Sequence, residues 1–251
     1  MARTTQTPPG SPRGIIPPEL LLHGYRLGVF PMGMREGHIE WFSPDPRAIL
    51  PLQEFKIPHG LRRTLAKRKF EVRINAAFGE VMRACADREE TWINAELEGA
   101  MLALHQSGHA HSIEVRSGGE LVGGLYGVKL GRAFFGESMF SRTRDTSKIA
   151  LAWLVARLQV GNFTLLDCQF MTEHLASLGA ISVPRDTYVA LLSGALGGGS
   201  AAAGALAESF GRTPGAAPDF LALDRLLELA GAAGAAGPAG YVISQLLGQT
   251  S

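Results

Sequence analysis

The 251-residue sequence contains two cysteines, Cys85 and Cys168, too few for a disulfide framework or a cysteine zinc site. We expect both to be buried, reduced thiols. The sequence also lacks an apolar run long enough to cross a bilayer. Residues 1–18 are rich in proline, threonine and arginine and have no apolar core, unlike a signal peptide. These absences predict a cytoplasmic protein without membrane association.

Several catalytic motifs are missing as well. The sequence has no P-loop and no glycine fingerprint for a dinucleotide. The run GESMF at 136–140 lacks the second glycine of a nucleophile elbow, so a serine hydrolase has no support. His109 and His111 offer at most two metal ligands, and their spacing favours a structural pair. The sequence therefore predicts neither a metal nor an organic cofactor.

The formal net charge of +1 conceals one basic segment. Between residues 56 and 73, seven lysines and arginines accompany a single acid, Glu71. The pattern predicts a helix at 61–69 that places Leu61 and Leu65 on one face. Two interpretations stay open, a solvated helix surface and a contact with a phosphate backbone. The candidate phosphate contacts are Arg62, Arg63, Lys67, Arg68 and Lys69.

Changes in composition divide the chain into four parts. These are a flexible arm (1–18), a small irregular, proline-rich N-terminal domain (19–55), a larger domain (56–192) and an Ala/Gly-rich extension (193–251). We expect the extension to be loosely ordered, except for an amphipathic helix at 220–229 and a segment at 241–247 that docks back.

Within the larger domain, the apolar periodicity predicts a mixed α+β fold. Helical spacing indicates helices at 75–86, with Asn75 as N-cap, and at 94–106. Alternating segments separated by glycine turns predict an antiparallel meander; they lie at 112–116, 121–130 and 132–140. A long helix from about 145 to 158 is apolar on almost every face and should be covered on both sides.

One carboxylate is conspicuous because its neighbours are apolar. Glu137 lies in a predicted strand between Phe134 and Met139, where burial of an ionisable group requires a partner or a role. Gly136 can introduce a bulge, so strand alternation does not decide which face Glu137 shares. We therefore treat Glu137 as a candidate site residue.

A second polar pair lies in the apolar strand predicted at 163–170. Alternation places Asp167 and Gln169 on one face and Cys168 on the other. Asp167 can polarise Gln169, whose amide oxygen can accept a hydrogen bond from an amine although an amide is a poor base. The alternative is a structural ion pair between Asp167 and Arg142 or Arg144.

Three leucines of the long helix, Leu151, Leu154 and Leu158, share one face. Such a stripe usually belongs to the core. If it faces Met139 and Phe134, the same residues form an apolar cup beside the candidate carboxylate.

These segments resemble the bacterial leucyl/phenylalanyl-tRNA–protein transferase family, from about residue 25 to 188. The blocks that carry the resemblance include YRLGVFPM, WFSPDPR, ETWIN, LVGGLYGV, FFGESMFSR, DCQF and HLASLGA. The resemblance implies an acetyltransferase-like (GNAT-type) catalytic domain with a mixed, largely antiparallel sheet. It also implies transfer of leucine or phenylalanine, less so methionine, from aminoacyl-tRNA to proteins that begin with arginine or lysine, which generates a degradation signal of the N-degron pathway.

The resemblance also implies roles for individual positions. Gln169 matches the catalytic glutamine, Asp167 its supporting aspartate, and Glu137 the glutamate near the aminoacyl group. Trp92, by itself either a core plug or a stacking platform, matches the tryptophan that stacks on the terminal adenosine of tRNA. The amino-acid pocket maps to Leu125, Phe134, Met139, Leu151, Leu154 and Leu158. Met32 departs from the family, because some members have tryptophan there.

Two other functions compete with this one. An acyl-CoA-dependent N-acyltransferase would need a glycine-rich backbone nest before the long helix, and residues 141–145 contain no glycine. A non-catalytic RNA-binding protein would use the basic helix alone.

Overall fold

The computed structural model describes residues 16–34, 38–67, 69–198, 217–232 and 239–248. The helices in these ranges are α1 (Pro18–Arg26), α2 (His59–Ala66), α3 (Phe78–Ala86), α4 (Ala95–Gln106), α5 (Thr146–Val160), α6 (Glu173–Ser177), α7 (Arg185–Ala195), α8 (Ala222–Ala232) and α9 (Ala239–Leu246). The strands are β1 (Phe30–Gly33), β2 (Ile39–Phe42), β3 (Arg47–Ile49), β4 (Glu71–Ile74), β5 (Ala110–Ser117), β6 (Glu120–Leu130), β7 (Ala133–Ser141), β8 (Leu165–Gln169) and β9 (Ile181–Val183). Every helix in the described ranges is too short or too polar to span a bilayer.

Most strands in the described part of the chain form one mixed sheet, in the order β4-β5-β6-β7-β8-β3-β9. Its strand pairs are antiparallel apart from β7 and β8, which run parallel. The predicted meander is β5-β6-β7. Helices α1, α3 and α4 cover one face, and α2, α5, α8 and α9 cover the other. The α+β class and the largely antiparallel sheet are confirmed.

The long helix α5 is buried between the sheet and the C-terminal helices, as its apolar composition predicts. Every residue from 149 to 158 is buried, including Arg157. The Arg157 guanidinium donates to both oxygens of Asp224, at 2.7 and 2.5 Å, and to the carbonyl of Phe220 at 2.6 Å. These bonds attach α8 to α5.

The described parts of the Ala/Gly-rich extension contain the two segments that the sequence expected to be ordered, and the helix at 220–229 is docked as well, which the sequence did not predict. Phe220, Leu223 and Ile243 are buried against the α5 face of the sheet. Local composition conceals this because a few large apolar side chains supply the contact. The predicted helix at 220–229 is α8, and α9 docks as expected. Residues 199–216, 233–238 and 249–251 lie outside the described residues.

Two N-terminal details differ from the sequence interpretation. Residues 1–15 of the predicted arm lie outside the described residues, but Ile16 is buried and Pro18 begins α1. Strand β3, assigned by sequence to the small N-terminal domain, lies inside the main sheet between β8 and β9. Segments from both predicted domains therefore build the same sheet.

Asn75 does not cap α3, contrary to the prediction. Its backbone is left-handed (φ 57°), and its side-chain oxygen accepts the backbone N–H of Ser112 at 3.0 Å. Helix α3 begins three residues later, at Phe78. Asn94, in contrast, caps α4 by accepting the N–H of Leu97.

Candidate active site

A cavity opens where the two parallel strands separate. Strands β7 and β8 pair only over Ala133–Phe135 and Leu165–Asp167. Beyond these pairs lies a cavity of about 240 Å³, with Glu137 and Gln169 on its wall. The separation of the strands therefore places one polar side chain from each strand on a shared pocket.

A bulge in β7 aims Glu137 into this region. Gly127 of β6 pairs with Gly136, but the preceding residue, Tyr126, pairs with Ser138. Glu137 is thus the extra residue of the bulge, which redirects its side chain relative to regular alternation. The sequence anticipated a bulge at Gly136 but not the direction of Glu137.

Glu137 is 6% exposed and is held by two neutral donors. Its Oε1 accepts the Tyr25 hydroxyl at 2.8 Å and the Gln169 Nε2 at 3.0 Å. Burial and, to a smaller extent, the nearby Asp167 charge raise the pKa of Glu137 to about 7, although Tyr25, Arg47 and Gln169 oppose the shift. The Gln169 amide nitrogen makes the contact with Glu137, so Glu137 does not use the amide oxygen, which can act as an acceptor.

Asp167 has a different environment, a buried ion pair with Arg47. Arg47 Nε donates to Oδ1 at 2.9 Å and Nη2 to Oδ2 at 2.6 Å, and the Tyr188 hydroxyl donates to Oδ2 at 2.7 Å. The predicted alternative of an ion pair was right in kind, but the arginine is neither Arg142 nor Arg144. Those two lie beside other acids, at Asp87 and Asp145.

Asp167 reaches Gln169 through the backbone. Its Oδ1 accepts the Gln169 N–H at 2.8 Å, and Gln169 has a left-handed backbone (φ 63°). A non-glycine residue in that region is strained by about 1–3 kcal/mol and needs support from its surroundings. The expected polarisation of the Gln169 amide by Asp167 is replaced by a positioning contact, and the amide itself contacts Glu137.

The predicted apolar pocket divides into two sets. Leu125, Met139, Leu151 and Leu154 line the cavity. Phe134 and Leu158 are fully buried in the core instead, where the Phe134 ring stacks 5.5 Å from that of Phe220. Of the three leucines that share one face of α5, Leu151 and Leu154 therefore line the cavity, and Leu158 belongs to the core.

Trp92 and Met32 line the cavity and are partly exposed. The Arg88 guanidinium lies 4.9 Å from the Trp92 ring centroid and donates to the Ser138 hydroxyl at 2.8 Å. Trp92 is partly buried against the core yet remains on the cavity wall. Its position is compatible with both the packing role and the stacking role.

The basic residues form an exposed surface away from the cavity lining. Arg62 and Arg63 lie on α2, and Lys67 and Lys69 follow before β4. All four are exposed, while Leu61 and Leu65 are buried as predicted. Arg68 lies outside the described residues. We call Arg62, Arg63, Lys67 and Lys69 the basic surface.

Sequence reasoning missed three residues that build the site: Tyr25, Arg47 and Tyr188. Arg47 carried a usable signal, because it is an isolated cation directly before the apolar run AILPL. Nothing in the sequence around the two tyrosines indicated that they belong to the site. Their hydroxyls bind Glu137 and Asp167, respectively.

Among the described residues, His, Cys, Asp and Glu side chains form no cluster of three that could hold a metal ion. His111 has a structural role: its Nδ1 lies 3.0 Å from the Asn75 amide, and its ring stacks on Phe220. Burial lowers the pKa of His111 to about 3. Both cysteines are free; Cys85 is buried, and Cys168 lines the cavity.

Known proteins match both parts of this architecture. Residues 49–193 match the sequence profile described as leucyl/phenylalanyl-tRNA protein transferase, and residues 14–45 match the profile of its N-terminal domain. A protein of that name from Rhizorhabdus wittichii is 52% identical over 245 residues, covering 94% of this chain and 99% of the relative. A namesake from Cereibacter sphaeroides is 54% identical over 183 residues, covering 72% and 86%. One from Herpetosiphon aurantiacus is 52% identical over 180 residues, covering 71% and 94%.

The fold, the cavity and these matches together define an aminoacyltransferase. The chain belongs to the leucyl/phenylalanyl-tRNA–protein transferase family, enzymes that transfer an aminoacyl group from tRNA to protein.

Proposed function

We propose that this enzyme transfers leucine or phenylalanine, and less readily methionine, from aminoacyl-tRNA to the α-amine of proteins that begin with arginine or lysine. One observation carries the proposal: an apolar cavity of about 240 Å³ has a buried carboxylate and a carboxamide on its wall. Such a cavity suits an uncharged amino-acid side chain with an ammonium group beside it. Family membership supports the same reaction.

The donor amino acid would enter with its side chain against Leu125, Met139, Leu151 and Leu154. Burial of a leucine-sized side chain contributes about 1.5–3 kcal/mol, while a charged side chain would meet no opposite charge among these residues. Glu137, on the same wall, would orient the donor's ammonium group.

The acceptor's α-amine would attack the aminoacyl ester, and the ribose hydroxyl of tRNA would leave. Gln169 would accept a hydrogen bond from the attacking nitrogen, because its amide oxygen is available while its nitrogen is held by Glu137. Positioning of this kind contributes up to about 7–11 kcal/mol to an intermolecular reaction. Asp167 would act by holding the Gln169 backbone in place.

The tRNA would meet two other parts of the surface. Trp92 would stack on the terminal adenosine at the cavity wall, supported by Arg88 on its ring. The basic surface would contact the phosphate backbone. Since Met32 lines the cavity where some family members have tryptophan, the adenosine would have one aromatic contact fewer.

In the cell, the product would carry a leucine or phenylalanine N-terminus, which serves as a degradation signal in the N-degron pathway. A cytoplasmic location follows from this role, because charged tRNA and the degradation machinery are found there.

The test is a transfer assay with purified full-length enzyme. Leu-tRNA is incubated with a peptide that begins with arginine, and the peptide mass is measured. We expect addition of one leucine to peptides that begin with arginine or lysine, and none to an otherwise identical peptide with an acetylated N-terminus. An unmodified arginine peptide, under conditions where the tRNA remains charged, contradicts the proposal.

A further inference from the structure

Glu137 is the only carboxylate on the cavity wall among the described residues. Both of its hydrogen bonds, from Tyr25 and Gln169, end on Oε1, and its Oε2 accepts none from the described residues. These two donors are neutral, so within the described part of the chain no cation is bonded directly to this carboxylate. Glu137 therefore has an oxygen available to a substrate proton.

The reaction needs such a group. An α-amine with an ordinary pKa of about 7.7–8.0 is largely protonated at neutral pH and must lose a proton before it can attack. The Gln169 amide can accept a hydrogen bond but cannot hold that proton. Asp167 is 0% exposed, does not line the cavity, and uses both oxygens for Arg47 and Tyr188.

We propose that Glu137 removes the proton from the acceptor's α-ammonium group, while Gln169 positions the resulting amine. The inference rests on the proposed function, because it concerns the acceptor of that reaction. It adds proton transfer to the orienting role proposed for Glu137 above.

The bonds balance without a further reagent. One N–H bond of the ammonium breaks, an O–H bond forms on Glu137, and the electron pair stays on nitrogen. The nitrogen bonds to the ester carbon, and the bond from that carbon to the ribose oxygen breaks. The ribose oxygen takes a second proton from the nitrogen, and Glu137 returns its proton to water.

The groups around Glu137 give it a pKa that suits a general base. The groups that face it are Tyr25 from α1, Arg47 from β3, Tyr126 from β6, and Asp167 and Gln169 from β8. Burial outweighs the groups that favour the carboxylate and brings its pKa to about 7. A base works best when its pKa lies near the working pH and near that of the proton donor.

The decisive experiment compares two donors in wild-type enzyme and Glu137→Gln. One donor is Phe-tRNA, and the other is phenyllactyl-tRNA, in which a hydroxyl replaces the donor's amine. We expect kcat for the arginine peptide to fall by about 10²–10⁴-fold with both donors, because the base is lost in either case. A loss confined to Phe-tRNA would show that Glu137 only anchors the donor's ammonium, and would overturn the inference.

The pH profile supplies the second readout. In wild-type enzyme, kcat/KM should rise with pH through about 7, as Glu137 ionises. In Glu137→Gln the rise should move to about 7.7–8.0, because without the base only the free amine can react. If the rise stays near pH 7 in Glu137→Gln, or if it is moved instead by His174→Gln, the inference is wrong, since the His174 imidazole also lines the cavity.

Loss of folding does not imitate these results. The glutamine oxygen can still accept from Tyr25 and Gln169, and circular dichroism checks that the variant is folded. Failure of the proposed function looks different, because wild-type enzyme then forms no product with either donor.

Discussion

Two buried carboxylates lie on neighbouring strands at one end of the sheet, and their partners differ in kind. Asp167 meets a cation, Arg47, and a tyrosine. Glu137 meets a tyrosine and an amide, and burial raises its pKa to about 7. Asp167 is therefore a structural support, whereas Glu137 is a carboxylate that can exchange a proton with a substrate.

The largest stability effect is expected on the Asp167 side. Asp167→Asn leaves the Arg47 charge buried without its counterion, and breaking such a pair costs about 3–5 kcal/mol. Urea unfolding should show a lower midpoint with an unchanged slope. The exposed Glu71→Gln, which breaks a surface pair with Arg73, is the control and should leave the midpoint unchanged. A midpoint for Asp167→Asn equal to that of the control would refute the structural role.

The activities of Asp167 and Gln169 variants should also reflect the supporting role of Asp167. If Asp167 acts only through Gln169, then Gln169→Ala should lower kcat at least as much as Asp167→Asn, measured where both variants are folded. Large loss in Asp167→Asn with little loss in Gln169→Ala would contradict the roles given to the two residues.

The next effect has the opposite sign and concerns Glu137. Its folded-state pKa of about 7 lies above the ordinary value of 4.5, so its contribution is fully present below the ordinary value and is lost as pH rises through about 7. Glu137→Gln cannot ionise and should therefore gain stability relative to wild type above pH 7, by at most about 3 kcal/mol. Unfolding free energies at acidic and alkaline pH test this. A variant that is relatively less stable at alkaline pH would contradict the raised pKa of Glu137.

A smaller effect distinguishes the two tyrosines. The Tyr25 hydroxyl favours the ionised form of Glu137, so Tyr25→Phe should raise the pKa of Glu137 and shift the rise of kcat/KM to higher pH. Tyr188→Phe removes one hydrogen bond to Asp167, costs about 1 kcal/mol of stability, and should leave the pH profile in place. A shift in Tyr188→Phe but not in Tyr25→Phe would reverse the assignment.

Substitutions in the basic surface are expected to have the smallest effect on the ionisation of Glu137 and on the Asp167 ion pair. Neutralising Arg62, Arg63, Lys67 and Lys69 together should weaken tRNA binding. The slope of log affinity against log salt should fall by about 0.7–0.9 for each phosphate that the enzyme no longer neutralises. The pH profile should not change. An unchanged salt slope would make this surface an ordinary solvated helix face.

The sequence predicted the helices and strands more fully than it predicted the side-chain contacts of the candidate site. The β5-β6-β7 meander and the apolar helix α5 follow from periodicity, and the segments GESMF and DCQ were recognisable as chemistry-bearing. The pairings of Tyr25 with Glu137 and Arg47 with Asp167 span 112 and 120 residues, so they depend on tertiary structure alone. Similarly, the bulge that aims Glu137 and the left-handed backbone of Gln169 depend on strand register and on the Asp167 contact. Because of these features, the Gln169 side-chain amide contacts Glu137 and not Asp167, whose carboxylate binds the Gln169 backbone N–H.

The most direct test of the proton-transfer role of Glu137 is a titration of its carboxyl carbon. Carbon-13 NMR of glutamate-labelled full-length enzyme, with Glu137→Gln to assign the resonance, reports the ionisation of this residue directly. The structure predicts that the glutamate resonance absent from the variant titrates near pH 7, well above the ordinary pKa of a glutamate. If the resonance that disappears in Glu137→Gln titrates with the ordinary glutamates, the proton-transfer role of Glu137 is wrong.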